Sequence, residues 1–555
     1  MQFFRKKSGS VGKKLSRRAE EQMIMSDFLA SAASVATDYI KCTVTSKNKV
    51  DYQKLKKIFD SNFFEARNFE DVQLDILSFD WQGGEHDRNW WWQLQALPFL
   101  NWFSNSFSCQ SDEERKKYFS TCLSSVECWI ANAKNNKNSP LVWHDHAAAF
   151  RLRNLANWLL FCHIEGLPIS DDPRGESLAS LVVEHLNWLQ SDANYSKFTN
   201  HGFDQALIAL TVGLMFDRED FEPYCRLNRQ RLKDEVAFAF TDEGVHKENS
   251  PGYQKMMLGR LKQLRTLTPL GEQEISELGE RYIGNAQAFL KAITLPNGYL
   301  PMIGDTQGND KGLEDSSSLS QELSVYDYSA SGYVIVKGCN DRLGSFYFLI
   351  KSSHDSNYHR HDDDLMLYLW CNGDVLLGDA GLFTHDERSG VRKFMRSHLA
   401  HSVPFIKGKP VRDRDLLLQQ PTLSFDHEKM VVKAKSYAFG SEISRVVDLR
   451  EVSNGIIRVR DQASAASLFV NYYLGSNAEI SMLRSGEIKV KIGSTFCTVK
   501  YNPVGRLSYF KGDNGNSIEN CFVSNAYGQK EESSRFLIST GASLAEAVIE
   551  FGVVV

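Results

Sequence analysis

The sequence predicts an all-helical half followed by an all-strand half, and three observations carry that expectation. Apolar residues recur at helical spacing from about residue 20 to 310, and at a period of two after about residue 325. The dipeptide Asn372-Gly373, between LMLYLWC and DVLLGD, marks a two-residue hairpin in the second half. Nine of the ten tryptophans fall between Trp81 and Trp188, and the tenth is Trp370, so the first half should carry aromatic surfaces that the second lacks.

In the first half, Ala149–Cys162 places Leu152, Leu155, Trp158, Leu159 and Cys162 near one helix face, and similar stretches recur at Ala206–Phe216, Asp234–Ala239 and Glu280–Ile293. Glycine and proline punctuate them at Gly166–Pro168, Pro173–Gly175 and Pro251–Gly252. So many successive helices suggest helix pairs stacked into an incomplete toroid or a solenoid. In the second half, Gly332–Gly338, Ser345–Lys351, Leu365–Trp370, Met430–Ala434, Ile456–Val459 and Glu487–Ile492 read as strands, and strand follows strand to Val553–Val555. That succession argues for a large antiparallel β-sandwich. The boundary is expected within the polar stretch Gly308–Ser320, which gives a basic arm over 1–24, a helical domain over 25–315 and a β domain over 316–555.

The composition is globular, with 42% hydrophobic and 24% charged residues in a chain of 555. Sixty-four basic against sixty-nine acidic residues give a net charge of −5, so bulk charge points to no nucleic acid. Seven of the first 18 residues are basic, yet no apolar run of signal-peptide length follows, and no segment of about 18 apolar residues could span a membrane. The ten cysteines include no CxxC pair and read as scattered reduced thiols. Together these features lead us to expect a cytoplasmic protein, or a periplasmic or secreted one if the start is misassigned.

Several clusters could carry chemistry. The densest is Tyr358-His359-Arg360-His361-Asp362-Asp363-Asp364, with His354 and Asp355 just upstream. Two histidines at i and i+2 in an extended segment point to one side, and the carboxylates after them could hold the imidazole N–H groups. His361 with Asp379 (LLGDAG) and His401 (SHLAHSV) forms a His/Asp/His set whose neutral imidazoles and carboxylate suit zinc. In the helical half, Asn200-His201 in TNHGFDQ could donate two hydrogen bonds to one carboxylate, or Asn200 could simply cap a helix. Downstream, VHKENSPGYQ holds His246, Glu248 and Tyr253, with Ser250-Pro251-Gly252 forcing a turn that would present Tyr253 to a cavity or to packing. Arg88, Asn89 and Trp91 in the RNWWW run, and Trp143 and His146 in WHDH, are candidate sugar platforms or ordinary helix-packing groups.

As a set, these blocks are more specific than any one of them. NHG and E-N-S-P-x-Y in a helical half, then H-x-H-D-D-D-L, N-G-x-x-L-L-x-D-x-G and A-H-S in a β half, resemble the heparinase II/III-like polysaccharide lyases. WHDHAAAFRLRN (Trp143–Asn154) and LPMIGDTQG (Leu300–Gly308) look like further family blocks. The resemblance implies an incomplete (α/α) toroid followed by a β-sandwich, with saccharide bound between them. It implies β-elimination on a uronic-acid-containing polysaccharide or oligosaccharide. Asn200 and His201 would engage the substrate carboxylate, Tyr253 would transfer a proton and His359 would be its partner base. Arg88, Asn89, Trp91, Trp143, His146 and Glu248 would contact substrate, and His361, Asp379 and His401 would hold a structural zinc ion with no organic cofactor. The expected partner is an acidic glycan, with no nucleic acid and no membrane span; a homodimer is compatible with this. Two positions depart from the family pattern: Asp362 stands where a small residue is usual, and Asp204-Gln205 where a glutamate is expected. A non-catalytic glycan-binding or assembly protein is one competing reading. A glycoside hydrolase using Glu248 and one of Asp362–Asp364 is the other.

Overall fold

A computed structural model describes residues 24–84, 86–313, 323–352, 355–464, 467–502, 505–512 and 521–554. The expected basic arm lies outside the described residues except for Ile24, as do His354, Val555 and the 314–320 part of the expected boundary. Helices precede a large antiparallel β region, as the change of period predicts. The chain forms two compact units: one runs to Glu235 and includes Thr266–Ser276, and the other comprises Val236–Arg265 and Glu277–Val555. The strand-rich unit therefore keeps helical segments of its own, including the helix Pro251–Gln263.

The helical unit is built around the helix Asp145–Ile164, which packs against Phe99–Ser106, Gly175–Gln190 and Asn200–Leu214. It buries fourteen of its twenty residues, which makes it a central helix rather than an amphipathic surface one. The helix Asp112–Asn132 starts with a full capping box in which Ser111 and Glu114 satisfy each other's backbone N–H groups. Trp81, Trp90, Trp91, Trp129 and Trp158 are all at most 2% exposed, which corrects the expectation of aromatic surfaces. The rings fill the core instead, some edge-on, as in Phe64–Trp90 (88°) and Trp90–Trp91 (87°), and some stacked, as in Phe119–Trp158 (21°).

The strand-rich unit holds three main antiparallel sheets. A five-stranded meander runs through Ser324–Tyr328, Tyr333–Asn340, Gly344–Lys351, Met366–Cys371 and Asp374–Leu377. Its last hairpin turns at Asn372 (φ 44°) and Gly373 (φ 100°), with Cys371 paired to Asp374, the positive-φ turn that Asn-Gly predicts. An eight-stranded sheet orders Glu479–Arg484, Glu487–Ile492, Thr495–Tyr501, Leu544–Val553, Ile456–Ala463, Ile443–Asp448, Val431–Ser436 and Thr422–Asp426. A four-stranded sheet orders Arg506–Lys511, Ser534–Ser539, Leu468–Tyr473 and Pro404–Ile406. Inward-facing residues of all three, among them Phe348, Leu367, Val447, Ile457, Tyr472, Ile488 and Phe536, share one apolar core. Alternation is plain along Ile456–Ala463, where every second residue is buried. All ten cysteines are free, and no described helix is long and apolar enough to cross a membrane.

Candidate active-site clusters

In the helical unit, Thr199 caps the helix Asn200–Leu214 by accepting the Gly202 N–H at 3.1 Å, so Asn200 is the first helical residue rather than its cap. Gly202 is required here, because a Cβ would come within 2.4 Å of the Ser196 carbonyl and 2.7 Å of Glu235 Oε1. This close approach sets His201 against the start of Asp145–Ile164. His201 Nδ1 lies 3.1 Å from Asp145 Oδ2, and its ring stacks on His146 at 4.1 Å. Asp145 also receives the Ser196 hydroxyl and has His144 Nδ1 at 2.8 Å. Burial alone would raise the Asp145 carboxyl, but His144 and His201 reverse this and hold it well below the ordinary range. Arg88 donates to His144 Nε2 at 2.8 Å. His146 bonds to Asp204 at 2.7 Å, yet burial and the neighbouring His201 push it down to about 4, so it is neutral at pH 7. Asp204 and Gln205 thus have packing partners: Asp204 takes His146, and Gln205 bonds the Ser196 N–H and the Asn194 carbonyl.

Of the remaining platform candidates, Asn89 lies in the first turn of the helix Arg88–Gln95, which Asp87 caps by accepting the Asn89 N–H at 2.6 Å. Trp143 donates to the Lys134 carbonyl at 2.9 Å and packs on Trp188 at 5.6 Å, leaving it half-buried. Trp91, 2% exposed, is covered by Phe79 and Trp90 and offers no face to a sugar.

In the strand-rich unit, Pro251 occupies the first turn of the helix that carries Tyr253, and Thr306 binds that start through Ser250 Oγ (2.8 Å) and the Gly252 N–H (3.0 Å). Asn249 donates to the carbonyls of Ser356 and Tyr358 at 3.0 Å each, which ties this loop to the turn bearing His359. That segment is not extended as expected: His359 sits at φ 52°, inside a turn. The tyrosine and imidazole rings meet with centroids 3.9 Å apart. His359 Nδ1 lies 2.6 Å from Asp305 Oδ2, and its Nε2 lies 3.4 Å from Glu248 Oε2. Burial, reinforced by Asp305 and Glu248, raises the Tyr253 phenol well above 10.

The three aspartates after the histidines do not hold the imidazoles. Asp362 forms a two-point pair with Arg412 at 2.7 Å, Asp363 pairs with Lys351 (2.6 Å) and Arg360 (2.7 Å), and Asp364 takes Arg360 and the Ser436 hydroxyl. The imidazoles instead converge on Asp305, which the sequence reading missed. Its carboxylate bonds His359 Nδ1, His361 Nε2 (2.8 Å) and both ends of the Arg392 guanidinium. Burial would raise Asp305, but Arg392 and the imidazoles hold it well below the ordinary range. Only its place in the LPMIGDTQG block could have flagged it.

Three described groups of side chains have donor atoms within 4.8 Å of one another: His144/Asp145/His201, Asp305/His359/His385 and His361/Asp379/His401. Arg88 occupies His144 Nε2, which puts that imidazole's proton on the Nδ1 facing Asp145, and Arg392 occupies both oxygens of Asp305. The third group fits a metal better. It is fully buried, and among the described residues His361 Nδ1 and His401 Nε2 have no hydrogen-bond partner. His361 donates its other nitrogen to Asp305, and Asp379 accepts the Gly304 and Gly381 N–H groups at 3.1 and 2.9 Å, the outer bonding that orients metal ligands.

A family model described as the heparinase II/III N-terminus matches residues 7–331. Among solved structures, a heparinase III superposes with a TM-score of 0.70 at 15% identity, covering 98% of this chain and 91% of that one. A heparan sulfate lyase HepC mutant from Pedobacter heparinus superposes with a TM-score of 0.60 at 15% identity, covering 95% and 88%. No curated protein sequence matches.

Proposed function

Since this chain belongs to the heparinase II/III family, we propose that it is a polysaccharide lyase that cleaves a uronic-acid-containing polysaccharide or oligosaccharide by β-elimination. The observation that carries this reading is the ring-on-ring contact of Tyr253 with His359, the latter anchored on Asp305. The C5 proton of a uronic acid is weakly acidic, so its carboxylate must be neutralised before the proton can leave. Asn200 and His201 are suited to that role as amide and imidazole donors. His359 accepts the C5 proton at Nε2. The C4–O bond then breaks, the C4=C5 double bond forms, and the phenol of Tyr253 protonates the departing oxygen. The raised pKa of Tyr253 favours the neutral phenol, hence the acid role. Arg88 acts through His144 and Asp145 to orient His201, and Glu248 faces His359 Nε2.

His361, Asp379 and His401 would hold a zinc ion. When bound, it would brace the strands around the His359 turn through three protein ligands. The hydrolase reading is disfavoured by the ion pairs that occupy Asp362, Asp363 and Asp364.

Incubation with alginate, glycosaminoglycans and capsular uronate glycans should raise ultraviolet absorbance through the conjugated double bond. Tyr253→Phe and His359→Ala should each lower kcat about 10²–10⁴-fold. Saturated reducing ends would select a hydrolase. Saturable binding without product would select a binding protein.

A further inference from the structure

We propose that Asp305 is a positioning residue that fixes the tautomers of two imidazoles at once. It takes the Nδ1 proton of His359 and the Nε2 proton of His361, so His359 exchanges its proton with substrate at Nε2 alone and His361 turns an Nδ1 lone pair toward the metal set. The assignment to substrate chemistry rests on the lyase reading; the tautomers themselves do not.

The geometry leaves little choice. Arg392, 2% exposed, grips both oxygens of Asp305, and a guanidinium only donates. A carboxylate so held is ionised and can only accept, so each imidazole nitrogen facing it must carry the proton. Those nitrogens are His359 Nδ1 at 2.6 Å from Oδ2 and His361 Nε2 at 2.8 Å from Oδ1. The remaining nitrogen of His359 faces Glu248 beside the Tyr253 ring. The remaining nitrogen of His361 has no partner among the described residues and belongs to the group with Asp379 and His401. One carboxylate, itself 3% exposed, thereby links the proton-transfer pair to the metal set. Gly304 and Thr306, on either side of it, are also engaged: the Gly304 N–H donates to Asp379, and Thr306 supports the Tyr253 helix.

The test is a ¹⁵N-histidine spectrum of the whole protein, assigned by the peaks lost in His359→Gln and His361→Gln. In the wild type, His359 should show a protonated Nδ1 and His361 a protonated Nε2 with an unprotonated Nδ1. The opposite tautomer at either residue overturns the proposal, whatever the variants do. In Asp305→Asn the carboxamide offers one acceptor and one donor, so at least one imidazole must switch tautomer. Zn²⁺ affinity, measured by titration after chelation, should fall about 10–100-fold, and kcat should fall by a similar factor with KM within about twofold. Unchanged tautomers and unchanged Zn²⁺ affinity in a folded Asp305→Asn would also overturn it. If the wild type makes no unsaturated product, the lyase reading fails, while the spectra and the Zn²⁺ titration still decide the role of Asp305.

Discussion

At Tyr253, burial is the largest cause of a pKa raised well above 10, Asp305 and Glu248 add to it, and Arg392 opposes it. The carboxylates around the ring oppose ionisation of the phenol rather than promote it. A raised value keeps the phenol protonated at alkaline pH, which suits an acid and disfavours a resting tyrosinate. The difference absorbance of wild type minus Tyr253→Phe near 295 nm should therefore show no phenolate forming below pH 10, and a transition below pH 10 would return the base role to Tyr253. The histidines and the tyrosine were legible because uncommon residues cluster within a few positions of one another. Asp305 was not, because its partners lie 54, 56 and 87 residues away in sequence and nothing beside it signals a buried ion cluster. The aspartate run misled for the opposite reason: proximity in sequence suggested that it served the histidines, while Arg360, Lys351 and Arg412 were nearer in space.

The helix Asn200–Leu214 shows what one element can demand of a single position. Its start must pass close to Ser196 and Glu235 for His201 to reach Asp145 and stack on His146. Gly202→Ala would put a methyl group 2.4 Å from a backbone carbonyl, which cannot swing away. We expect a loss of about 1–3 kcal/mol and a fall in activity larger than the stability loss accounts for, as His201 shifts. Urea unfolding monitored by circular dichroism checks the first and the absorbance assay the second; wild-type stability would mean that the turn relaxes freely. In the second half, Lys351, fully buried at the end of its strand, pairs with Asp363 at 2.6 Å. Lys351→Met should cost about 3 kcal/mol by stranding part of that charge, although Arg360 keeps one contact. Most of the strands read from the sequence were legible to within a residue or two, because apolar runs and period-two alternation both follow from facing a core, though Ile456–Ala463 runs four residues past the expected Val459. The central helix Asp145–Ile164 was legible only in part: its buried polar residues Arg151, Asn154 and Asn157 break the apolar pattern, and two of them are held by tertiary bonds, Arg151 by His185, Gln95 and Val142 and Asn154 by Ala96.

At the scale of the whole molecule, each compact unit keeps buried imidazoles whose pKa is pushed down, and these contribute to how the protein answers acid. His146 is pushed down to about 4 by burial and His201, and His246 to about 3 by burial and the nearby His359 and Lys247. His246 is 4% exposed and packs its ring against Phe240 at 5.3 Å, and its Nδ1 has no partner among the described residues. In the unfolded chain a histidine titrates near 6.5. Between that value and the folded one, the unfolded state binds a proton that the folded state refuses, so stability is lost as pH falls from about 6.5 toward 3 and is fully present above 6.5. For His246 alone the loss is about 2 kcal/mol by pH 5. Glutamine carries no proton at any pH in this range, so His246→Gln should flatten that limb. The difference in unfolding free energy between wild type and His246→Gln should shift by about 2 kcal/mol in favour of the variant between pH 7 and pH 5, as read from urea unfolding at each pH. A difference independent of pH would mean that His246 gains its proton as readily folded as unfolded, and the acid sensitivity between pH 7 and 5 would then have to come from the other depressed imidazoles, His146, His185, His385 and His398.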